Sequence, residues 1–450
     1  MSYSSRTLRL IAVAAALSLT VGCGGDNGGG DSQQPDAGDV DANGDNGNGD
    51  ANGDNGDNGG IADPDDDCEE AIERGAYFSL EAPDDAVAVH APRISRVGDE
   101  LWTTFVAEFD AGEQPLQPYL VRLECDGENL DDPEPLTDEP VDDVSPVAID
   151  VEDDLVFTVW SYTNDEGEPR SSGRSFDADG TPIADEPFAI EVDLESEDTF
   201  VRDLANPDVA VRGEEGAFVV AEWQIDIFTA LVLFQHIDEE GERVEQGFEI
   251  DDQAGAVQTS PAVAFLNDNR GLVAYTDDGT PQLAAVDPLG QNVDEEPSEA
   301  EPAMSDDSPS VALSKNLAAD NTWAIYPIGS GGSNTVKVRS GLALEPRSGE
   351  TSSLTDRVSQ QPAVTASELG GAKAWVSGGD DGAVIHLRRF QGGGTDTSGS
   401  GPTIDQHGDD GGATGGPDIV WLTDEIFASI WPEEDGLVGQ IIDFELEEAE

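Results

Sequence analysis

From residue 92 onward the apolar residues fall in short runs separated by Gly, Asp and Pro, and the runs recur. Seven times a proline opens a short apolar run: PRISRV at Pro92, PVAIDV at Pro146, PDVAVR at Pro207, PAVAFL at Pro261, PSVALS at Pro309, PAVTAS at Pro362 and PDIVWL at Pro417. The spacings are 54, 61, 54, 48, 53 and 55 residues. Within each unit a second run (LWTTFV, VFTVW, FVVAEW, LVAY, TWAIY, AKAW, IFASIW) reaches its last aromatic residue 13 to 17 positions after the proline. A third run then ends in a tight turn, as in YLVRLECDG and LVLFQHIDEEG. Short, partly alternating runs rich in β-branched and aromatic residues predict strands, because such side chains fit a pleated, half-buried surface. A proline at the first position of a strand removes no ladder hydrogen bond.

A weaker fourth run appears in some units, as in PFAIEV around Phe188 and GFEIDD around Phe248. Three to four antiparallel strands repeated seven times predict an all-β fold, a seven-bladed β-propeller, whose radial repetition leaves few exposed edges. The second runs are nearly continuous in apolar residues, as expected for strands sandwiched between neighbouring blades. Dividing one unit differently gives six or eight blades, and a pair of β-sandwiches is the alternative architecture. No long run of 3.6-residue periodicity occurs between residues 92 and 450.

The seventh unit ends shortly after its third run. Ahead of the first proline, Phe78-Ser79-Leu80-Glu81 resembles the fourth-run Phe188-Ala189-Ile190-Glu191. Residues 77–81 are therefore expected to supply the outer strand of the last blade, the alternative being a leading strand that pairs locally. The chain divides into a signal peptide over 1–22, a disordered acidic tether over 23–67 and a propeller over 68–450.

At the N-terminus Arg6 and Arg9 precede an apolar stretch from Leu10 to Leu19, then small residues and Cys23. A stretch this short with such an end reads as a signal peptide rather than a membrane span. Val21, Gly22 and Cys23 resemble the lipobox of bacterial lipoproteins, with Thr20 departing from the usual Leu. The resemblance implies diacylglycerol and palmitate on Cys23 and anchoring in a membrane, which the buried acyl methylenes make stable. Gly24, in the place where Asp retains such proteins in the inner membrane, implies the outer membrane. Ordinary cleavage with Cys23 incidental is the alternative.

Residues 24–67 are almost entirely Gly, Asp and Asn, with 13 Asp and no Lys or Arg. Such a segment buries nothing and is expected to be a flexible spacer, about 35–40 Å in r.m.s. span for its length. Asp41-Asn43-Asp45 and Asp50-Asn52-Asp54 suggest Ca²⁺ ligation. An EF-hand loop requires Gly at its sixth position and Glu at its twelfth, whereas these have Asn46 or Asn55 and no Glu. Beyond the tether, Cys68 and Cys125 form an even pair in an exported chain and are expected to be disulfide-linked, the alternative being two independent thiols.

Composition sharpens the functional reading. With 97 acidic and 20 basic residues the chain carries a net charge of −77. That excludes nucleic-acid binding through a basic surface. A hydrophobic fraction of 37% with 28 aromatic residues excludes wholesale disorder. Only the N-terminal run approaches spanning length, which excludes a polytopic helical membrane protein. The body from residue 68 holds 84 acidic and 18 basic residues, hence −66, so the charge belongs to the folded part rather than to the tether.

Catalytic motifs are sparse. His90, His236, His386 and His407 form no H-x-x-x-H or Cys/His pattern, and no G-x-S-x-G, P-loop or G-x-G-x-x-G occurs. His236 and His386 fall in third runs, where a strand histidine is the expected reading. The marks of WD, kelch and sialidase repeats are absent. The units resemble the P-x-V…VVW…Q-x-F-D-x-x-G pattern of uncharacterised repeat lipoproteins of myxobacteria, best in Phe234–Gly241 and Phe176–Gly180. That resemblance implies a fold and no activity. The connectors ahead of Pro146, Pro207 and Pro309 are acidic, and in a propeller such connectors open on one face. This makes Ca²⁺, a cationic protein or a glycan candidate ligands, with solubility or adaptation to salt as the alternative. The sequence thus points to a lipid-anchored extracytoplasmic binding or scaffold module without a cofactor or an indicated catalytic residue. A carbohydrate-active enzyme and a periplasmic envelope-assembly scaffold are the alternatives.

Overall fold

The computed structural model describes residues 76–286 and 413–443 with short interruptions, and only the strands between 287 and 412. Among these residues the strands form seven successive antiparallel meanders, each of four strands, the fifth with one additional pairing. The innermost strands are Ala86–Val97, Ala148–Glu152, Leu204–Val211, Gln258–Phe265, Ala312–Asn316, Ser359–Ala366 and Asp418–Trp421. Each adjoins the innermost strand of the next sheet, and the seventh adjoins the first. The fold is a β-propeller.

The second strands explain the continuous apolar runs. Glu100–Phe109, Leu155–Thr163 and Ile426–Glu433 are buried along most of their length, with Trp102, Trp160 and Trp431 fully enclosed. Both sheet faces are covered by neighbouring blades, so no polar alternation is selected. Trp102 of blade 1 meets Phe176 of blade 2 edge-on, centroids 6.0 Å apart.

The seventh blade draws on both ends of the chain. Tyr77–Glu81 pairs antiparallel with Gly436–Asp443, setting Phe78 opposite Gly439 and Leu80 opposite Leu437. Phe78 and Leu80 are buried while Tyr77, Ser79 and Glu81 are exposed, the period-two pattern of an outer strand. Phe78 and Leu80 join a core that runs from Ile430 and Ile441 of blade 7 to Leu101 and Phe105 of blade 1.

The same sealing device recurs between blades 2 and 3. Phe188, on the outer strand Phe188–Ile190, lies across Gly173 of its own blade and against Gly241 of the next, and neither glycine has room for a Cβ. Phe78 stands likewise against Gly439 and against Gly127 of blade 1. Gly127 and Gly241 also have left-handed backbones, φ +88° and +82°. The leading aspartate of the D-x-x-G turn caps it: Asp238 Oδ1 accepts the N–H groups of Glu240 and Glu242 at 3.1 and 2.8 Å. The glycine of such a turn must therefore also accept a neighbouring blade's side chain, the Phe188 ring at Gly241 and the Arg122 guanidinium at Gly180.

One expectation is corrected. In blades 1, 3, 4 and 6 the repeat proline does not open its strand but stands three to six residues inside it. Register shifts fall at His90/Arg93, Ala205/Asp208, Thr259/Ala262 and Gln360/Ala363. The residues before the prolines, Ala91, Asn206 and Ser260, have φ of +49°, +46° and +53°. The proline occupies a β-bulge, where an unpaired residue is required in any case and its missing N–H leaves no gap in the ladder. The long 61-residue interval contains an additional hairpin, Val192–Leu194 with Thr199–Val201, whose Val192, Leu194 and Val201 are buried against blade 3.

Candidate functional site in the axial channel

In blades 1, 3, 4 and 6 the residue after the proline resumes the pairing of the inner strand beyond its bulge. In the sequence the residues after the seven prolines are Arg93, Val147, Asp208, Ala262, Ser310, Ala363 and Asp418, the fifth of them outside the described residues. Asp208 Oδ2 accepts the N–H of Val263 in the next blade at 2.8 Å, and Asp418 Oδ2 accepts that of Ile94 at 2.8 Å. Each carboxylate thus ties its inner strand to the following one. Burial pushes Asp208 up to about 6, against the opposing pull of its backbone donors and of the Arg93 charge. Burial raises Asp418 too, again opposed by Arg93. Arg93 of blade 1 thus acts on carboxylates of blades 3 and 7, and the Asp418 charge acts on Asp208. The three groups thus lie close enough for their charges to act on one another.

A second polar set lies at the bulges themselves. Glu222 Oε1 accepts the N–H of Ser260 at 2.6 Å, and the Asn206 side chain bonds the same carboxylate. Burial raises the Glu222 carboxyl. One blade earlier, the equivalent Ser161 Oγ accepts the N–H of Asn206 at 3.1 Å. A polar side chain fifteen residues after the proline thereby holds the left-handed residue of the next bulge.

The described histidines do not converge. His90 Nε2 lies 3.1 Å from Glu108 Oε2 in blade 1. His236 is buried in blade 3, and His386 is stacked on Trp375 in blade 6, centroids 5.3 Å apart. His407, Cys23, Cys68 and the tether's Asp41-Asn43-Asp45 and Asp50-Asn52-Asp54 lie outside the described residues. Cys125 is buried in the core that contains Phe78. Glu124, Asp126 and Glu128 bring carboxylate oxygens within 4.8 Å of one another, but at an exposed turn whose Asp126 already accepts the Glu128 N–H at 2.9 Å. That group is the turn's own chemistry.

Three of the scarce cations, Arg96, Arg122 and Arg174, are committed to the blade junctions. Arg122 grips Glu100 with two bonds of 2.9 and 2.8 Å, donates to the Asp179 carbonyl of blade 2 at 2.7 Å and lies over Trp102. Arg96 of blade 1 lies over Trp421 of blade 7 and bonds the Leu422 carbonyl. Arg174 of blade 2 lies over Phe176 and reaches Glu134 of blade 1. Carboxylates, by contrast, face water at both ends of the blades. Glu128, Asp154, Asp179 and Glu240 are exposed at the turns after first and third strands, and Asp142, Asp143, Glu166 and Asp226 at the opposite end. Acidity is thus a property of both faces, not of the connector face alone.

Neither Arg93, Asp208 nor Asp418 belongs to a sequence motif. The signal that finds them is charge at a repeat position otherwise filled by Val, Ala or Ser.

No protein-family model matches the chain, and comparison with curated proteins found no match. Among solved structures, the chain is similar to a protein of unknown function from Dyadobacter fermentans, at 11% identity and a TM-score of 0.48, covering 82% of this chain and 98% of that one. It is also similar to the β-propeller domain of the Trilobed protease from Pyrococcus furiosus, with an open velcro topology, at 10% identity and a TM-score of 0.46 over 80% and 98% of the chains. A third is an α-L-arabinanase from Penicillium chrysogenum, at 11% and 0.42 over 82% and 98%. These likenesses concern the fold alone.

Proposed function

We propose that the chain is exported, cut before Cys23 and lipidated there, and that its tether holds the propeller at the outer membrane as a binding module for a cationic partner. The lipobox-like Val21-Gly22-Cys23 and the uncharged Gly24 support the anchor. The observation that carries the binding reading is the allocation of charge. Arg96, Arg122 and Arg174 are spent between blades, while carboxylates at both blade ends face solvent. Such a surface steers cations toward it and repels polyanions. A disulfide between Cys68 and Cys125 belongs to the same proposal: it would fix the start of the propeller beside the buried cluster of Phe78.

Palmitate labelling of the wild-type chain and of Cys23→Ser tests the anchor, with label expected only in the former. Calorimetry with oligolysine and with glucosamine oligomers tests binding. Heat that weakens as salt rises is expected; absence of binding to both at low salt contradicts the reading.

Asp208 and Asp418 favour a second reading, a carbohydrate-active enzyme. Acid–base cleavage of a glycosidic bond requires one protonated and one ionised carboxyl, and burial of Asp208 and Asp418 near the Arg93 charge supplies two carboxyls able to divide those roles. Hydrolysis of aryl glycosides that is abolished in Asp208→Asn would establish it, and inactivity across common sugars would remove it.

A further inference from the structure

We propose that His236 makes the junction between blades 3 and 4 acid-sensitive: taking up a proton, it releases the Arg212–Gly216 hairpin that Arg212 otherwise fastens to the fourth blade. The geometry is local and specific. Arg212 closes the inner strand of blade 3, and its guanidinium lies over Phe218 at 4.9 Å and over Phe265 of blade 4 at 5.6 Å. It also pairs with the Glu215 carboxylate of the hairpin. The His236 ring, on the third strand, stands edge-on to Phe218 with centroids 5.3 Å apart.

His236 Nε2 lies 2.9 Å from the Glu215 carbonyl and 3.3 Å from Arg212 Nη1. A neutral imidazole meets only one of them, donating to the carbonyl or accepting from the guanidinium. With Nε2–H given to Glu215, the bare nitrogen is Nδ1, which is buried and has no partner among the described residues; Arg212 Nε is in the same condition. A proton added at Nδ1 therefore produces a buried N–H without an acceptor, on a cation that touches a second cation. Each is unfavourable, and both are relieved when the hairpin lifts and water enters.

The surrounding charges are mixed. Glu215 on the hairpin and Glu245 on the following connector favour the proton, while burial first and Arg212 second oppose it more strongly and hold the imidazole below its ordinary value. Asp238, two residues on, is occupied by the N–H groups of its own turn. From blade 4, Arg270 precedes Gly271, whose backbone lies against the Phe218 ring. Gly213 and Gly216 both have left-handed backbones, φ +58° and +92°, which glycine adopts without strain.

Hydrogen exchange on the full chain tests this, corrected for intrinsic rates, at pH 7.5 and pH 5. The amides of Glu215 and Gly216, bonded to Arg212 and Gly213, are expected to lose about tenfold protection at pH 5. As a control, the Gly127 amide, bonded to Glu124 in a third-strand turn without histidine, is expected to keep its own. In His236→Gln, which still donates to Glu215 but does not titrate, the loss disappears. Equal protection at both pH values in the wild type overturns the proposal, as does an equal loss at Gly127. If the variant does not fold, the wild-type titration of the His236 Cε1 proton decides, its midpoint coinciding with the loss of protection or not.

Discussion

Phe78 stands against Gly127 so closely that no Cβ fits on the glycine. The contact joins the outer strand of the last blade to a turn of the first, and Phe188 with Gly241 repeats it between blades 2 and 3. Gly127→Ala therefore meets two obstacles, a left-handed backbone and an occupied space. Gly98, at φ +59° with nothing within 4 Å of its Cβ position, meets only the first. Gly98→Ala is expected to cost about 1 kcal/mol and Gly127→Ala at least about 2 kcal/mol, measured by denaturant unfolding. Equal costs would remove the ring contact from the account.

Asp208 is expected to respond to pH with a definite sign. Its folded value, about 6, lies above the ordinary 3.8, so the charged form is penalised in the folded state. That penalty is complete above pH 6, shrinks as pH falls between those two values, and is absent below the lower one. Asp208→Asn keeps an acceptor for the Val263 N–H and removes the charge. It should stabilise the protein by about 2–3 kcal/mol at pH 7.5 and leave it unchanged near pH 3.5. A loss of stability at both pH values would contradict the assignment.

Arg122 is expected to be irreplaceable by lysine. Its planar fork makes two bonds to Glu100 while a third N–H reaches the Asp179 carbonyl across the blade junction. A point charge on a flexible stem does not reproduce this. Arg122→Lys should lower stability by about 1–2 kcal/mol, with little dependence on salt because the pair is only about one-fifth exposed. Full rescue by lysine would mean that charge alone matters.

For the cysteines, peptide mapping without reduction is expected to show Cys68 linked to Cys125. The link closes a 57-residue loop and should be worth about 4 kcal/mol in the chain-entropy view. Alkylation of both cysteines in the native, unreduced protein would exclude it.

The fold was legible in the sequence to the extent that it rests on local chemistry repeated many times. Trp102, Trp160 and Trp431 mark the second strands because burial on both sheet faces selects apolar residues at every position. Phe78 and Leu80 are legible as an outer strand because their alternation matches Phe188 and Ile190. The strand starts were misplaced by up to six residues, because a bulge with a left-handed residue before proline looks in sequence like a strand boundary. The axial set stayed hidden for a different reason. Arg93, Asp208 and Asp418 are 115 and 210 residues apart along the chain and meet only because the ring closes. The His236–Arg212 contact needs the side-chain geometry of a hairpin that no pattern in RGEEG announces.

Closure of the ring by the strand Tyr77–Glu81 is the relationship on which the remaining contacts depend, and one measurement addresses it directly. Thermal unfolding of the chain lacking residues 69–82 is to be compared with that of the complete chain. Losing the ladder to Gly436–Asp443 together with buried Phe78 and Leu80 should lower the Tm by about 5 °C or more, and a peptide spanning residues 76–83 should restore part of the loss. A melting curve that does not change would contradict the closure.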